Sequence, residues 1–272
     1  MAEGHIKKMQ SVLADTVAYS LPIGDELIGL NQYLGKQIKL TYKDEIHCSN
    51  CGKRTKKSYS QGHCYVCMTK LAQCDLCIMK PETCHYHLGT CREPSWGEQF
   101  CFQDHIVYLA NSSGLKVGIT RHTQVPTRWI DQGATQALPM FKVKTRLQSG
   151  LVEMALKKHV SDKTDWRKML KGQAESKDMI AERDALLGQA SEALAAIQDE
   201  QGVEQVELLG DAKEVLINYP VLQYPEKVSS FNFDKTPVIE GQLLGIKGQY
   251  LILDKGVLNL RKFTSYNLVF DA

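Results

Sequence analysis

Residues Tyr108–Thr120 read YLANSSGLKVGIT. Ile106, Val107, Tyr108 and Leu109 form an apolar run with strand character. Asn-Ser-Ser-Gly is turn chemistry, because Asn and Gly both accept positive φ. Leu115–Thr120 then alternates as a return strand. Further along, VPTRWIDQGA reads as a helix entry with Thr127 as N-cap. PMFKVKTRL alternates again as a third strand, with Phe141, Val143 and Thr145 on one side. SGLVEMALKKHV reads as a helix started by Ser149, its Leu151, Met154, Ala155 and Leu156 toward a core. DKTDWRKML is a further helical turn. The order over 105–172 is strand, strand, helix, strand, helix.

Upstream of this unit lie all nine cysteines, between Cys48 and Cys101. Cys48-x2-Cys51 and Cys64-x2-Cys67 flank a polar linker, GKRTKKSYSQGH. Two such turns brought together make a tetrahedral sulfur cage for zinc, and the linker suits a zinc-ribbon hairpin. Four sulfurs leave no open position for water, so such an ion is structural. A second run, CDLCIMKPETCHYHLGTC, supplies Cys74, Cys77, Cys84 and Cys91 as the preferred second zinc set. His85, His87, Cys101 and His105 compete as ligands. The block has few large aliphatics, and metal binding supplies the missing folding energy. Lys53, Arg54, Lys56 and Lys57 on the linker suit nucleic acid and a solvated turn equally.

The 272 residues suggest two or three domains. Hydrophobic residues make up 43% and charged residues 24%, an ordinary globular composition. The absence of a run of about 18 apolar residues argues against a membrane span. The first twenty residues carry acids and lack a long apolar core, a poor signal peptide. The expected compartment is therefore the cytoplasm, where thiols stay reduced. A net charge of +2 hides an asymmetry. Lys116–Lys171 holds twelve Lys or Arg against four Asp or Glu, and Gln173–Lys227 holds the reverse, four against twelve. The basic block is a footprint for a polyanion. Alternatively, the two blocks attract each other within the molecule.

Elsewhere, LNQYLGKQIKLTYKDEI reads as a strand pair leading into the first CxxC. Residues 174–200 read as one long helix with a seam of Ile180, Leu187, Ala190, Leu194 and Ile197. Its acidic face suits a partner helix or an intramolecular arm. From Thr236 onward, Gly241, Gly245, Gly248 and Gly256 punctuate short strands of a small antiparallel sheet or partial barrel. The expected class is α+β. The expected segments are a mixed strand segment (1–46), a zinc-binding cysteine block (47–104), the central β-β-α-β-α unit (105–172), an acidic helical segment (173–230) and a C-terminal small sheet (231–272).

On these residues the central segment resembles the GIY-YIG nuclease superfamily. VYL around Tyr108 matches the first half of the signature and KVG, Lys116–Gly118, the second. Arg128 stands at the place of the family arginine, and Glu153 at that of its metal-binding glutamate. The whole chain also resembles an uncharacterised bacterial family that joins two cysteine clusters to WGEQFC, KVGIT and RWIDQGA. The nuclease resemblance implies a phosphodiester site. Glu153 holds Mg²⁺ or Mn²⁺, Arg128 braces phosphate oxygens, and Tyr108 orients or activates water. Lys116 departs from the signature tyrosine, and Gln132 stands where the family often has histidine. Lysine still meets phosphate, whereas glutamine takes no proton. Arg121, Arg128, Lys142 and Lys144 are the expected DNA or RNA contacts. Rival local roles are an Arg128 pair with Asp131 or Asp165, and a Glu153–Lys157 helix pair. Two functions follow: a zinc-stabilised nucleic-acid-binding protein with a degenerate or active phosphodiesterase site, or a non-catalytic adaptor docking a protein or ribonucleoprotein through its zinc block.

Overall fold

The computed structural model describes residues 1–161 and 163–272; Asp162, at the head of DKTDWRKML, lies outside the described residues. The chain is α+β, and its described residues form three antiparallel sheets.

The first segment gives β1 (Ala2–His5), β2 (Gln10–Val12), β3 (Ala18–Ile23), β4 (Glu26–Gly29) and β5 (Gln37–Ile46). Leu30–Ile46 is thus not a strand pair. It is a short turn at Asn31–Tyr33 followed by one ten-residue strand. Asn31 explains the turn: its side chain accepts from the Tyr19 N–H and donates to the Val17 carbonyl, both at 2.9 Å. That pins the turn onto β3 and denies the segment a strand ladder.

The cysteine block contains α1 (Tyr65–Lys70), several 3₁₀ turns and α2 (Pro94–Phe100). The central unit follows as β6 (His105–Asn111), β7 (Leu115–Arg121), α3 (Thr127–Asp131), β8 (Gln136–Val143), α4 (Arg146–Leu156) and α5 (Trp166–Leu170). Helix α4 starts earlier than Ser149. Thr145 caps it in a reciprocal box with Gln148, while Ser149 is buried inside and donates to the Arg146 carbonyl at 2.7 Å.

Residues 174–200 form two helices, α6 (Met179–Gln189) and α7 (Ser191–Gln201), in place of one. The chain breaks at Ala190, which is buried. The inward face is Met179, Leu186, Ala190 and Leu194, and Ile180 is exposed. Two short strands, β9 (Val206–Leu208) and β10 (Val215–Leu216), then add to the outer edge of β8. The acidic segment is therefore stitched by backbone pairing to the unit that carries the basic block.

The last segment gives β11 (Val238–Lys247), β12 (Tyr250–Leu253), β13 (Gly256–Asn259) and β14 (Tyr266–Asp271). It does not close by itself as a small sheet. It joins the first segment in the order β1-β14-β5-β11-β12-β13. Gly241 and Gly245 sit inside one long strand, and at Gly245 the register shifts where Val221 passes over it.

Strand β6 is buried along its whole length. Its alternation divides the core. Ile106, Tyr108 and Ala110 face Trp129, Ile130 and the interior of the six-stranded sheet. Val107 and Leu109 face the other way, with Val117, Leu138 and Met140, toward Val152, Leu156, Leu186 and Leu194. Each such buried aliphatic contributes about 1.5–3 kcal/mol. No helix among the described residues is long and apolar enough to cross a membrane.

Candidate metal centre and the Tyr108 constellation

Strand β5 delivers the chain into Cys48-Ser-Asn-Cys51, a tight turn. It is closed by the Gly52 N–H on the Cys48 carbonyl and the Cys48 N–H on the Lys53 carbonyl, each at 2.9 Å. The second CxxC is built differently. Cys64 is the N-cap of α1 and Cys67 lies in its first turn. A turn and a helix start, not two hairpin knuckles, therefore bring the sulfurs together. The Ser49 N–H on the Gly62 carbonyl, at 2.8 Å, holds the halves in register.

The four sulfurs lie within 4.8 Å of one another, with Cys51 and Cys64 3.9 Å apart. Tetrahedral zinc–thiolate geometry asks for about 3.8 Å between sulfurs. N–H donors already point inward: Cys64 N–H to Cys48 Sγ at 3.2 Å and Asn50 Nδ2 to Cys67 Sγ at 3.5 Å. Burial pushes the Cys48 thiol up, but the N–H groups of Cys51, Cys64 and Asn50 outweigh it and bring it down to about 6. The donor set fits zinc, which Cys48, Cys51, Cys64 and Cys67 would hold with no open position.

Of the second run, Cys77, Cys84 and Cys91 line one small void, and the fourth cysteine there is Cys101. Cys74 is turned elsewhere, toward the Ser60 hydroxyl and into the field of Arg92 and Cys48. His85 spans Thr90 Oγ1 (2.7 Å) and the Asp75 carboxylate (3.5 Å). His87 is exposed. His105 is fully buried, its Nδ1 on the Gln103 carbonyl at 2.7 Å.

The pairing of β6 with β7 sets Tyr108 directly opposite Gly118. The phenol is fully buried, lies edge-on to Trp129 and donates to Gln132 Oε1 at 3.0 Å. Burial pushes it up to about 12, although the Arg128 guanidinium, within hydrogen-bonding range, pulls the other way. Glu153 acts on the same hydroxyl from α4. Tyr108, Arg128, Gln132 and Glu153 thus converge, and at neutral pH the phenol keeps its proton. Lys116 shares this face of β7 but is buried, beside the backbone bridge to Ser161.

A family model described as "Protein of unknown function (DUF2797)" matches residues 35–268. The chain belongs to this family. No curated protein and no solved structure matches it.

In the DUF2797 chain, the matched span holds all nine cysteines and the whole Tyr108 constellation. The remaining basic positions have their own partners. Lys142 and Lys144 both reach Asp104, at 3.3 Å. Arg121 is half-buried over the Phe100 ring, 5.1 Å from its centroid. Asp165 caps α5 through the N–H groups of Arg167 and Lys168.

Three associations between distant segments have no signature in local sequence. Asp131 takes Lys8 and Gln249, not Arg128. Arg261 lies in the field of Arg128 and donates to Gln61 at 2.8 Å. His5, Glu45 and His47 bring ligating atoms within 4.8 Å, with His47 Nε2 3.0 Å from Glu45 and the two imidazoles stacked. Each joins segments far apart in the chain, and no local spacing announces it.

Proposed function

We propose that this protein binds nucleic acid. In this reading a zinc ion at Cys48, Cys51, Cys64 and Cys67 stiffens the N-terminal block, and a GIY-YIG-like central unit meets the phosphates with a degenerate phosphodiesterase site. The observation that carries it is the Tyr108 constellation. Arg128 lies beside the phenol, and Arg261 is close enough to feel its charge. Two guanidiniums that repel each other gain from an anion between them, and phosphate takes guanidinium through paired N–H bonds.

The same constellation argues for binding over cutting. A base must accept a proton, and the Tyr108 hydroxyl is held protonated and committed to Gln132. In an active version Glu153 would hold Mg²⁺ or Mn²⁺, supplying a Lewis acid for the phosphate.

The test is binding of labelled DNA and RNA oligonucleotides across a salt series. Log affinity should fall steeply with log salt, and Arg128→Ala should reduce that slope by about one. A flat salt response would sink the reading. Cleavage in Mg²⁺ or Mn²⁺ that disappears in Glu153→Ala would make the site active rather than degenerate.

The adaptor reading has one observation in its favour. Tyr65, Val66, Leu76, Met79 and Leu88 of the cysteine block are large, apolar and exposed, a composition that suits a protein partner. Salt-insensitive capture of a defined protein, without nucleic-acid binding, would favour it.

A further inference from the structure

Residues 72–104 have almost no hydrophobic interior. Only Ala72, Pro81 and Gly97 are buried, and none brings a large side chain. Leu76, Met79 and Leu88 point to solvent. Between Ala72 and α2 the chain is a succession of three-residue 3₁₀ turns, each too short to persist alone. A segment of this length with so little apolar burial needs another source of folding energy.

The turns share one destination. Cys77, Cys84, Cys91 and Cys101 come from four separate places: the Leu76–Ile78 turn, the end of the Pro81–Thr83 turn, the approach to α2, and its C-cap. All four line a single void of about 20 Å³, walled by Tyr86 and Trp96. All nine cysteines are free thiols, so disulfides do not tie the segment. We propose that Cys77, Cys84, Cys91 and Cys101 hold a second structural zinc ion, with Arg146 as its charge partner.

Arg146 is the independent observation. Its Nη2 donates to the Ile78 carbonyl, next to Cys77, while its Nε is buried without a partner. Burial, Arg121 and Arg128 act against its charge, while Cys101 and Cys77 favour it. A neutral set of thiols gives a buried guanidinium little reason to be there. Four thiolates around Zn²⁺ carry two net negative charges, one of which Arg146 offsets.

A rival set exists: Asp75, Cys77 and His85 bring ligating atoms within 4.8 Å of one another, a closer cluster than the four sulfurs, which share the void rather than that spacing. Its members are engaged elsewhere. The Asp75 carboxylate takes Arg92 Nε at 2.8 Å and the Leu76 N–H at 2.6 Å. His85 is braced between Asp75 and Thr90. They form the rim of the site. Cys74, faced away from the void, belongs to neither set.

The experiment counts zinc in purified full-length protein and does not depend on nucleic-acid binding. Wild type should carry two ions per chain, Cys101→Ser one, and Cys74→Ser and His85→Ala two each. X-ray absorption on intact wild type is the second measurement and needs no variant to fold. An all-sulfur first shell at about 2.3 Å supports the proposal. One zinc per chain, nitrogen or oxygen in the first shell, or two ions retained in folded Cys101→Ser would overturn it.

Discussion

The ring of Tyr108 fills the space over Gly118: a Cβ on that glycine would stand 2.7 Å from the phenol oxygen and 2.7 Å from Cζ. Adding one carbon there must displace the ring or bend β7. Gly118→Ala should therefore cost about 1–3 kcal/mol in a urea melt. In a Tyr108→Phe background, where one of the two clashing atoms is gone, the cost should shrink. Equal costs in both backgrounds would rule out the packing explanation.

Asp131 fastens three distant segments. One carboxylate oxygen takes Lys8 Nζ and the other takes Gln249 Nε2 at 2.8 Å, while Gln249 also accepts from the Met9 N–H at 2.9 Å. Asp131→Ala leaves the Gln249 amide short of a partner and should destabilise by about 1–3 kcal/mol. Hydrogen exchange should show early opening at residues 8–12 and 248–250. Global loosening without that local signature would count against the fastening role.

Stability should fall on mild acidification, and His105 sets the window. Burial holds it down to about 4, with Arg146 and Arg121 adding to the depression and the Gln103 carbonyl opposing it. An unfolded histidine titrates near about 6.5. Between those values the unfolded chain binds a proton that the folded chain refuses. Stability from this group is therefore full above about pH 6.5 and lost as pH drops toward 4, by about 3 kcal/mol. His105→Gln should flatten that part of the curve in melts at stepped pH; an unchanged slope would assign it elsewhere.

Removing the metal should loosen the cysteine block first. Cys51 is exposed and contributes little packing, so Cys51→Ser tests coordination rather than core volume. Limited proteolysis should then cut within 47–71, while β6 to β8, buried on both faces, stay protected. Chelation of wild type should give the same pattern. Unchanged protection after confirmed zinc loss would show that the fold does not rely on it.

How much of this was legible in the sequence depended on distance along the chain. The Cys48, Cys51, Cys64 and Cys67 cluster was legible because a CxxC leaves the backbone few choices. Strands β6 to β8 were legible from apolar runs and turn residues between them. The start of α4 was misplaced because Thr145 continues the alternation of β8 while its hydroxyl caps the helix. The break at Ala190 was invisible because alanine is a good helix former, and the bend comes from what α6 and α7 pack against. Cys101 is among the competing ligands, but it lies ten residues past Cys91 at the end of a helix, where spacing rules could not rank it. The six-stranded sheet pairs residues more than two hundred positions apart, and such pairing leaves no local trace.

That sheet also imposes an order of events on synthesis. Ala2 pairs with Phe270 and His5 with Asn267, while Leu40 pairs with both Ile239 and Phe270. Strands β1 and β5 leave the ribosome early, but their ladder partners β14 and β11 lie beyond residue 237. In the meantime the cysteine block and the central unit can acquire their local structure. The early strands wait with unpaired edges, the state in which β-structure is most open to wrong partners. Closure of the sheet waits on β11 and β14, and pairing across such sequence separations is slow.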